Sequence, residues 1–179
     1  MGYSISWVAF HGLPKSEVLS LTRLIDTAEP DEANESPISG SELPGGWYVL
    51  FLNDIVHPYV SPERLREISI GCTVLGCQVE EHVMASACFL YKNGGRIWNV
   101  THEAEKGLYN MEIEGQAPES FSITEFRQAQ DRAGGEAAGV DYMFDAPLEL
   151  AHRMCGYRHD RWKFDWGQPY FTRLEAESA

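Results

Sequence analysis

From Val74 to Tyr91 the chain reads VLGCQVEEHVMASACFLY, and apolar residues recur at every second position for most of that length. Leu75, Cys77, Val79, Val83, Ala85, Ala87, Phe89 and Tyr91 share one side, with Glu81 the single charge among them. Period-two spacing is the signature of a half-buried strand. A carboxylate on a buried face has to be paired, protonated or functional, because an unpaired buried charge costs several kcal/mol. One uninterrupted strand of this length would exceed the usual ~3–10 residues. The pattern therefore also admits a turn at Glu80-Glu81.

Ser4 to Phe10 and Trp47 to Leu52 read as strands, and each is followed by a helix start containing proline. Pro14 and Ser16 open a helix carrying Val18, Leu19, Leu21 and Leu24. Ser61-Pro62-Glu63 supplies a capping hydroxyl, a proline at the first helical position and an early acid for a helix carrying Leu65 and Ile68. Between these two β–α units, Asp26 to Gly46 holds six acids, no Lys or Arg, three prolines and three glycines. That composition predicts a long acidic loop over about 26–46. Lys92-Asn93-Gly94-Gly95-Arg96 predicts a hairpin turn into a strand over Ile97–His102, since Asn and Gly tolerate positive φ. A strand over Leu108–Ile113, a polar helix from Ser122 to Arg132 and a short helix from Pro147 to Met154 follow. Residues near Tyr170 could add an edge strand. The order predicts an α+β fold, a largely antiparallel β-sheet with helices packed on one face, in a single domain over 1–179.

The net charge of −13 disfavours nucleic acid and anionic membranes and permits a basic protein partner. No run approaches the ~18 uninterrupted apolar residues of a membrane span. The start MGYSISWVAFHG lacks the basic segment and cleavage site of a signal peptide, so a cytoplasmic protein is expected. Cys72, Cys77, Cys88 and Cys155 have no CxxC spacing and read as buried thiols, not as zinc ligands. No cofactor is expected. There is no GxSxG, HExxH or phosphate-cradling glycine loop, and the sequence leaves the oligomeric state open.

The candidate binding residues are Glu80, Glu81, His82, His102, His159 and Trp162. Glu80-Glu81-His82 sets two carboxylates beside an imidazole, the raw material of acid–base chemistry. On a regular strand Glu81 and His82 point to opposite faces. With Asn93-Gly94 as the turn, Ala85 lies opposite His102. With Gly94-Gly95, Ala87 does. Either register puts His102 on the face of Trp98, Val100, Phe89 and Glu81, and brings Lys106 or Leu108 opposite Glu81. A buried Glu81–Lys106 pair is the simplest expectation. The segment GYRHDRWKFDWGQPYF interleaves six aromatics with basic residues, a composition for stacking and cation–π contacts or for closing the core. His159-Asp160 beside Trp162 is its plausible hydrogen-bonding pair.

Three stretches, LPGGWYVLFLND, GCQVEEHVMASA and GYRHDRWKFDW, resemble bacterial proteins of unassigned function. The resemblance implies a bacterial cytoplasmic protein and carries no activity and no site residue. The expected function is non-catalytic binding of a partner, of an immunity-type or regulatory kind. The alternative is a small enzyme or ligand-binding protein with a polar pocket at the sheet end using Glu81, His82 or His102.

Overall fold

Apolar side chains alternate along Ser4–His11, and both sets are buried. Ile5, Trp7 and Ala9 enter one core, Val8 and Phe10 another on the opposite side. This strand, β1, is the centre of the molecule. The computed structural model describes residues 2–177. Its other strands are β2 (Leu24–Pro30), β3 (Ile38–Leu43), β4 (Trp47–Leu52), β5 (Thr73–Glu80), β6 (Ala85–Lys92), β7 (Gly95–Glu103), β8 (Glu112–Gly115) and β9 (Thr172–Ala176). They form one sheet in the order β2-β9-β3-β4-β1-β5-β6-β7-β8, and every pairing is antiparallel. Among the described residues the four α-helices are α1 (Lys15–Thr22), α2 (Pro62–Ile68), α3 (Ile123–Ala133) and α4 (Tyr142–Cys155).

The α+β fold with an antiparallel sheet is as the sequence predicts, but the helices cover both faces. Val18 of α1 and Leu65 and Ile68 of α2 pack with Val8, Phe10 and Leu50. Phe144, Leu148, Ala151 and Cys155 of α4 pack with Trp7, Cys77 and Val100 on the other side, together with Tyr157, Phe164 and Phe171. The reason lies in β1, whose two faces are both apolar and must both be covered. All four cysteines are free and buried.

The acidic segment 26–46 is not one loop. It contributes most of β2 and all of β3, joined by residues 31–37. In β3 the residues Ser39, Gly40 and Ser41 are buried although none is large or apolar. At Gly40 no side chain fits, since a Cβ there would lie 2.3 Å from the Tyr48 hydroxyl. Nor is the late strand an edge strand. β9 inserts between β2 and β3, and β2 takes the edge.

The run 74–91 is two strands. β5 ends at Glu80, residues 81–84 turn, and β6 starts at Ala85. Crossing the turn changes which parity faces which core. Leu75, Cys77 and Val79 lie in the α4 core, as does Cys88, whereas Phe89 and Tyr91 lie in the α1–α2 core. At the next hairpin Asn93 (φ 49°) and Gly94 (φ 79°) form the two-residue turn, with Lys92 opposite Gly95. Ile97 is then left unpaired between Arg96, opposite Tyr91, and Trp98, opposite Leu90. This bulge places Ser86 opposite His102, one residue away from either expected register. His102 therefore shares its face with Trp98 and Val100 but not with Phe89.

Replacing Gly94 by Val forces a β-branched residue to positive φ. We expect a loss of roughly 1–3 kcal/mol in denaturant unfolding. Gly95→Ala, one position on at a residue without positive φ, serves as the control and should cost clearly less.

Candidate functional site

The six residues singled out from the sequence separate into three places. Glu80, at the end of β5, accepts a hydrogen bond from the Ser4 hydroxyl at 2.5 Å, and its other oxygen is 2.6 Å from His82 Nδ1. The Ser4 hydroxyl, with His82, holds the Glu80 carboxyl below its ordinary range. This pair is a solvated surface contact at the turn.

Glu81 leaves the turn on another path. Its Oε2 accepts from the Tyr3 amide at 2.9 Å, and its Oε1 is 3.9 Å from His159 Nε2. The side chain is 30 % exposed, so the expected burial is not found. Nor is the expected lysine: Lys106 donates to Glu103 and Glu112, each at 2.9 Å. The physical cause is the turn at 81–84, which takes Glu81 out of the strand before it can occupy the apolar face.

His102 belongs to the scaffold. Its side chain is wholly buried beneath the start of α4. Nδ1 lies 2.7 Å from the Asn110 carbonyl and Nε2 lies 3.0 Å from Asp141 Oδ2. Both ring nitrogens face acceptors, which only the doubly protonated imidazolium can satisfy. Burial alone would lower the His102 pKa; the hydrogen bonds to Asp141 and Asn110 outweigh it, and the net shift is upward. Asp141 is also the N-cap of α4, its Oδ1 accepting from the amides of Met143 (2.9 Å) and Phe144 (3.0 Å). Burial would raise its pKa, but His102 and the two amides bring it below the usual value. Neither Asp141 nor Asn110 figures in the sequence reading. Asp141 carries the signal of an N-cap before an apolar run. Pro147, the expected helix start, instead lies inside α4, and the helix begins five residues earlier.

The third place is a cleft of about 430 Å³, and it gathers His159 and Trp162. Its walls come from distant parts of the chain: Tyr3 before β1, Glu32 to Asn34 between β2 and β3, and the segment from Tyr157 to Phe171 between α4 and β9. Each wall is fixed locally. Asp31 accepts from the amides of Glu35 (2.9 Å) and Ser36 (3.1 Å), and its own amide donates to the Phe171 carbonyl at 2.9 Å. Arg158 forks onto Asp160, with Nε 2.7 Å from Oδ1 and a terminal nitrogen 2.9 Å from Oδ2, and also bonds Asp145 of α4. Trp166 stacks on Phe164 with ring centres 5.1 Å apart and donates its indole N–H to the Gly156 carbonyl at 3.0 Å.

Between the locked Arg158 and Asp160 stands His159. Its side chain is only 1 % exposed, and neither ring nitrogen has a hydrogen-bond partner. Tyr3 meets the ring edge-on at 5.0 Å. Burial lowers the His159 pKa, and the opposing pull of Asp160 does not cancel it. The ring is thus a neutral donor–acceptor pair in the cleft wall with nothing to bond. Trp162, at the rim, is 74 % exposed. The structure therefore joins Glu81, His159 and Trp162 in one neighbourhood and leaves Glu80, His82 and His102 outside it. Among the described residues no group of three or more His, Cys, Asp or Glu side chains is arranged to hold a metal ion. No protein-family model matches the chain, and neither a curated protein nor a solved structure is significantly similar to it.

The buried His102–Asp141 pair yields a pH-dependent stability. A raised folded-state pKa means that the His102 contribution is full below its unfolded value near 6.5 and is lost as pH rises through the folded value. The lowered Asp141 pKa means that its contribution is present above 3.8 and lost as pH falls through the folded value. His102→Ala strands a buried carboxylate and should cost about 3–5 kcal/mol near pH 5.5. In thermal melts across pH 5–9, the gap between wild type and His102→Ala should narrow toward the alkaline end. A gap that widens with pH would show His102 to be neutral in the folded state.

Proposed function

We propose that the protein is a non-catalytic binding protein, of an immunity or regulatory kind, that receives a basic protein partner at the Tyr3–Trp162 cleft. The observation that carries this reading is the company Trp162 keeps. An exposed tryptophan leaves a large apolar surface in water, and aromatic residues of this kind are the usual anchors of protein interfaces. In the same cleft wall stands a second exposed aromatic, Tyr3. The cleft wall carries the carboxylates of Glu32 and Asp160, the latter held by Arg158, and among the described residues its one cation is Arg161, which faces Glu149 at 3.5 Å. Glu32 has no ion-pair partner among the described residues. The net charge of −13 speeds the approach of a basic partner over distances beyond contact.

The enzyme reading has one observation in its favour, a neutral imidazole 3.9 Å from a carboxylate. Two others weigh against it. Among the described residues no serine, threonine, cysteine or lysine lines the cleft to serve as a nucleophile. One oxygen of Glu81 is already engaged by the Tyr3 amide. His82 and His102, named with Glu81 in that reading, lie elsewhere.

The test is affinity capture from host lysate with wild type and with a Trp162→Ala/Glu32→Lys variant. Both positions are exposed, so circular dichroism should show an unchanged fold. Wild type should retain a basic protein that elutes as salt rises, and the variant should lose it. Equal capture by both proteins, or retention of an acidic species, would reject the cleft as the binding surface.

A further inference from the structure

A hollow of about 370 Å³ opens on the α2 side of the sheet, the face opposite the cleft, and shares no lining residue with it. It lies where the cover over this face runs out. Leu65 and Ile68 of α2 close over Val8, Phe10 and Leu50, whereas Asn99, Thr101, Glu112 and Glu114, further along the same face, are half-buried or exposed. Gly76, Phe89, Asn99 and Glu114 form one row across β5 to β8. A Cβ on Gly76 would lie 2.2 Å from the Phe89 ring, so the ring folds down onto the bare backbone of β5. Val60, Leu65 and Phe89 give the hollow an apolar wall.

Its polar groups lean towards donation. Tyr91 is 2 % exposed, and its hydroxyl has no hydrogen-bond partner among the described residues. The Tyr48 hydroxyl and the His159 nitrogens are shut off from solvent; the Tyr91 hydroxyl is not, and it lines the hollow. Arg96 stands opposite Tyr91 in the β6–β7 ladder and lines the hollow too, with one terminal nitrogen given to Glu114 and the rest of the fork uncommitted. His57 accepts the Tyr59 amide on Nδ1 at 3.2 Å, which leaves its proton on Nε2. The chain has 27 Asp and Glu residues, yet among the described residues none lines this hollow and Arg96 is its single charge.

We propose that the hollow binds a small carboxylic acid with an apolar body, whose carboxylate meets the Tyr91 hydroxyl and Arg96 while its body lies against Val60, Leu65 and Phe89. A carboxylate is an acceptor only, and it matches hydroxyl and guanidinium donors without rivalry. A cationic ligand would meet Arg96 with no carboxylate in the lining to offset it. A neutral apolar ligand would cover the Tyr91 hydroxyl and leave it unbonded. A doubly charged phosphate asks for more than one arginine already shared with Glu114. The volume falls in the usual range of small-molecule sites, roughly 300–1,000 Å³. The site does not depend on the cleft or on what the cleft receives.

The experiment is a nuclear magnetic resonance titration of the full chain at neutral pH, following the Val60 and Leu65 methyl groups and the Arg96 side-chain N–H. The probes are phenylpropanoate, its neutral isostere phenylpropanamide, the cation phenylpropylamine and acetate. We expect saturable shifts with phenylpropanoate, binding about tenfold weaker with the amide, and none with the amine. Arg96→Gln should weaken phenylpropanoate about tenfold and Tyr91→Phe about fivefold. Glu114→Gln, which frees Arg96, should tighten it about threefold. Tyr91→Phe should melt with wild type, since the hydroxyl has no partner inside the fold. The proposal is overturned if no probe saturates, if the amide or the amine binds as well as the acid, or if acetate binds as tightly as phenylpropanoate. Unchanged binding in Tyr91→Phe or Arg96→Gln would overturn it as well, as would a lowered melting temperature in Tyr91→Phe. Trp162→Ala should leave phenylpropanoate binding unchanged; its loss there would place the acid in the cleft and reject the hollow.

Discussion

The contact between His102 and Asp141 joins sheet to helix, and the α4 side of the molecule is organised around it. Asp141 spends one oxygen on the first amides of α4 and the other on the imidazole, so the helix start is bonded to the sheet through a single side chain. The same imidazole holds the Asn110 carbonyl in the connection between β7 and β8. Ser86, opposite His102 in the sheet, donates to the Phe144 carbonyl at 2.8 Å and gives α4 a second bond. With its first turn fixed at two points, α4 can lay Phe144, Leu148, Ala151 and Cys155 over the central strands. Its end then releases the chain at Gly156, directly into the segment that forms the cleft.

Much of this was legible from the residues, and what was not has identifiable causes. The apolar segments of β1 and β4, the Ser61-Pro62 helix start and the Asn-Gly-Gly turn are local signals, and each predicted its element. The faces of β6 and β7 were harder, because they depend on single residues. The turn at 81–84, which the length of the run admits near Glu80-Glu81, and one unpaired residue at Ile97 each reset which side chains meet which core, and the period-two count by itself sees neither. β3 gives little apolar signal because, Leu43 apart, its buried residues are serine and glycine, and at Gly40 it is the bulk of Tyr48 that excludes a side chain. Glu81 drew attention for the wrong reason. It stood out as a charge in an apolar row, but it lies outside that row.

The cleft shows the same limit at a larger scale. His159, Trp162 and Glu81 were each noticeable as residues, yet their meeting is a product of topology. Tyr3 and Glu81 are 78 positions apart and bonded, because β1 and β5 run side by side and leave their ends together. The unbonded state of His159 has no sequence signature at all; it follows from Arg158 and Asp160 satisfying each other across it.

The insertion of β9 between β2 and β3 has a consequence for how the molecule is assembled. β2 touches the sheet only through β9, and Thr27 donates its hydroxyl to the Arg173 carbonyl across a separation of 146 residues. Closing so long a loop is slow compared with forming the neighbouring hairpins β3–β4 and β5–β6. On a growing chain, β2 must therefore wait, unpaired, until residues beyond 171 have been made. The stretch that hangs between β2 and β3 carries Glu32 and Asn34, so one wall of the cleft is set only when that last strand slots in. The cleft is in this sense a report on completion: a chain that has not finished its sheet has no finished cleft.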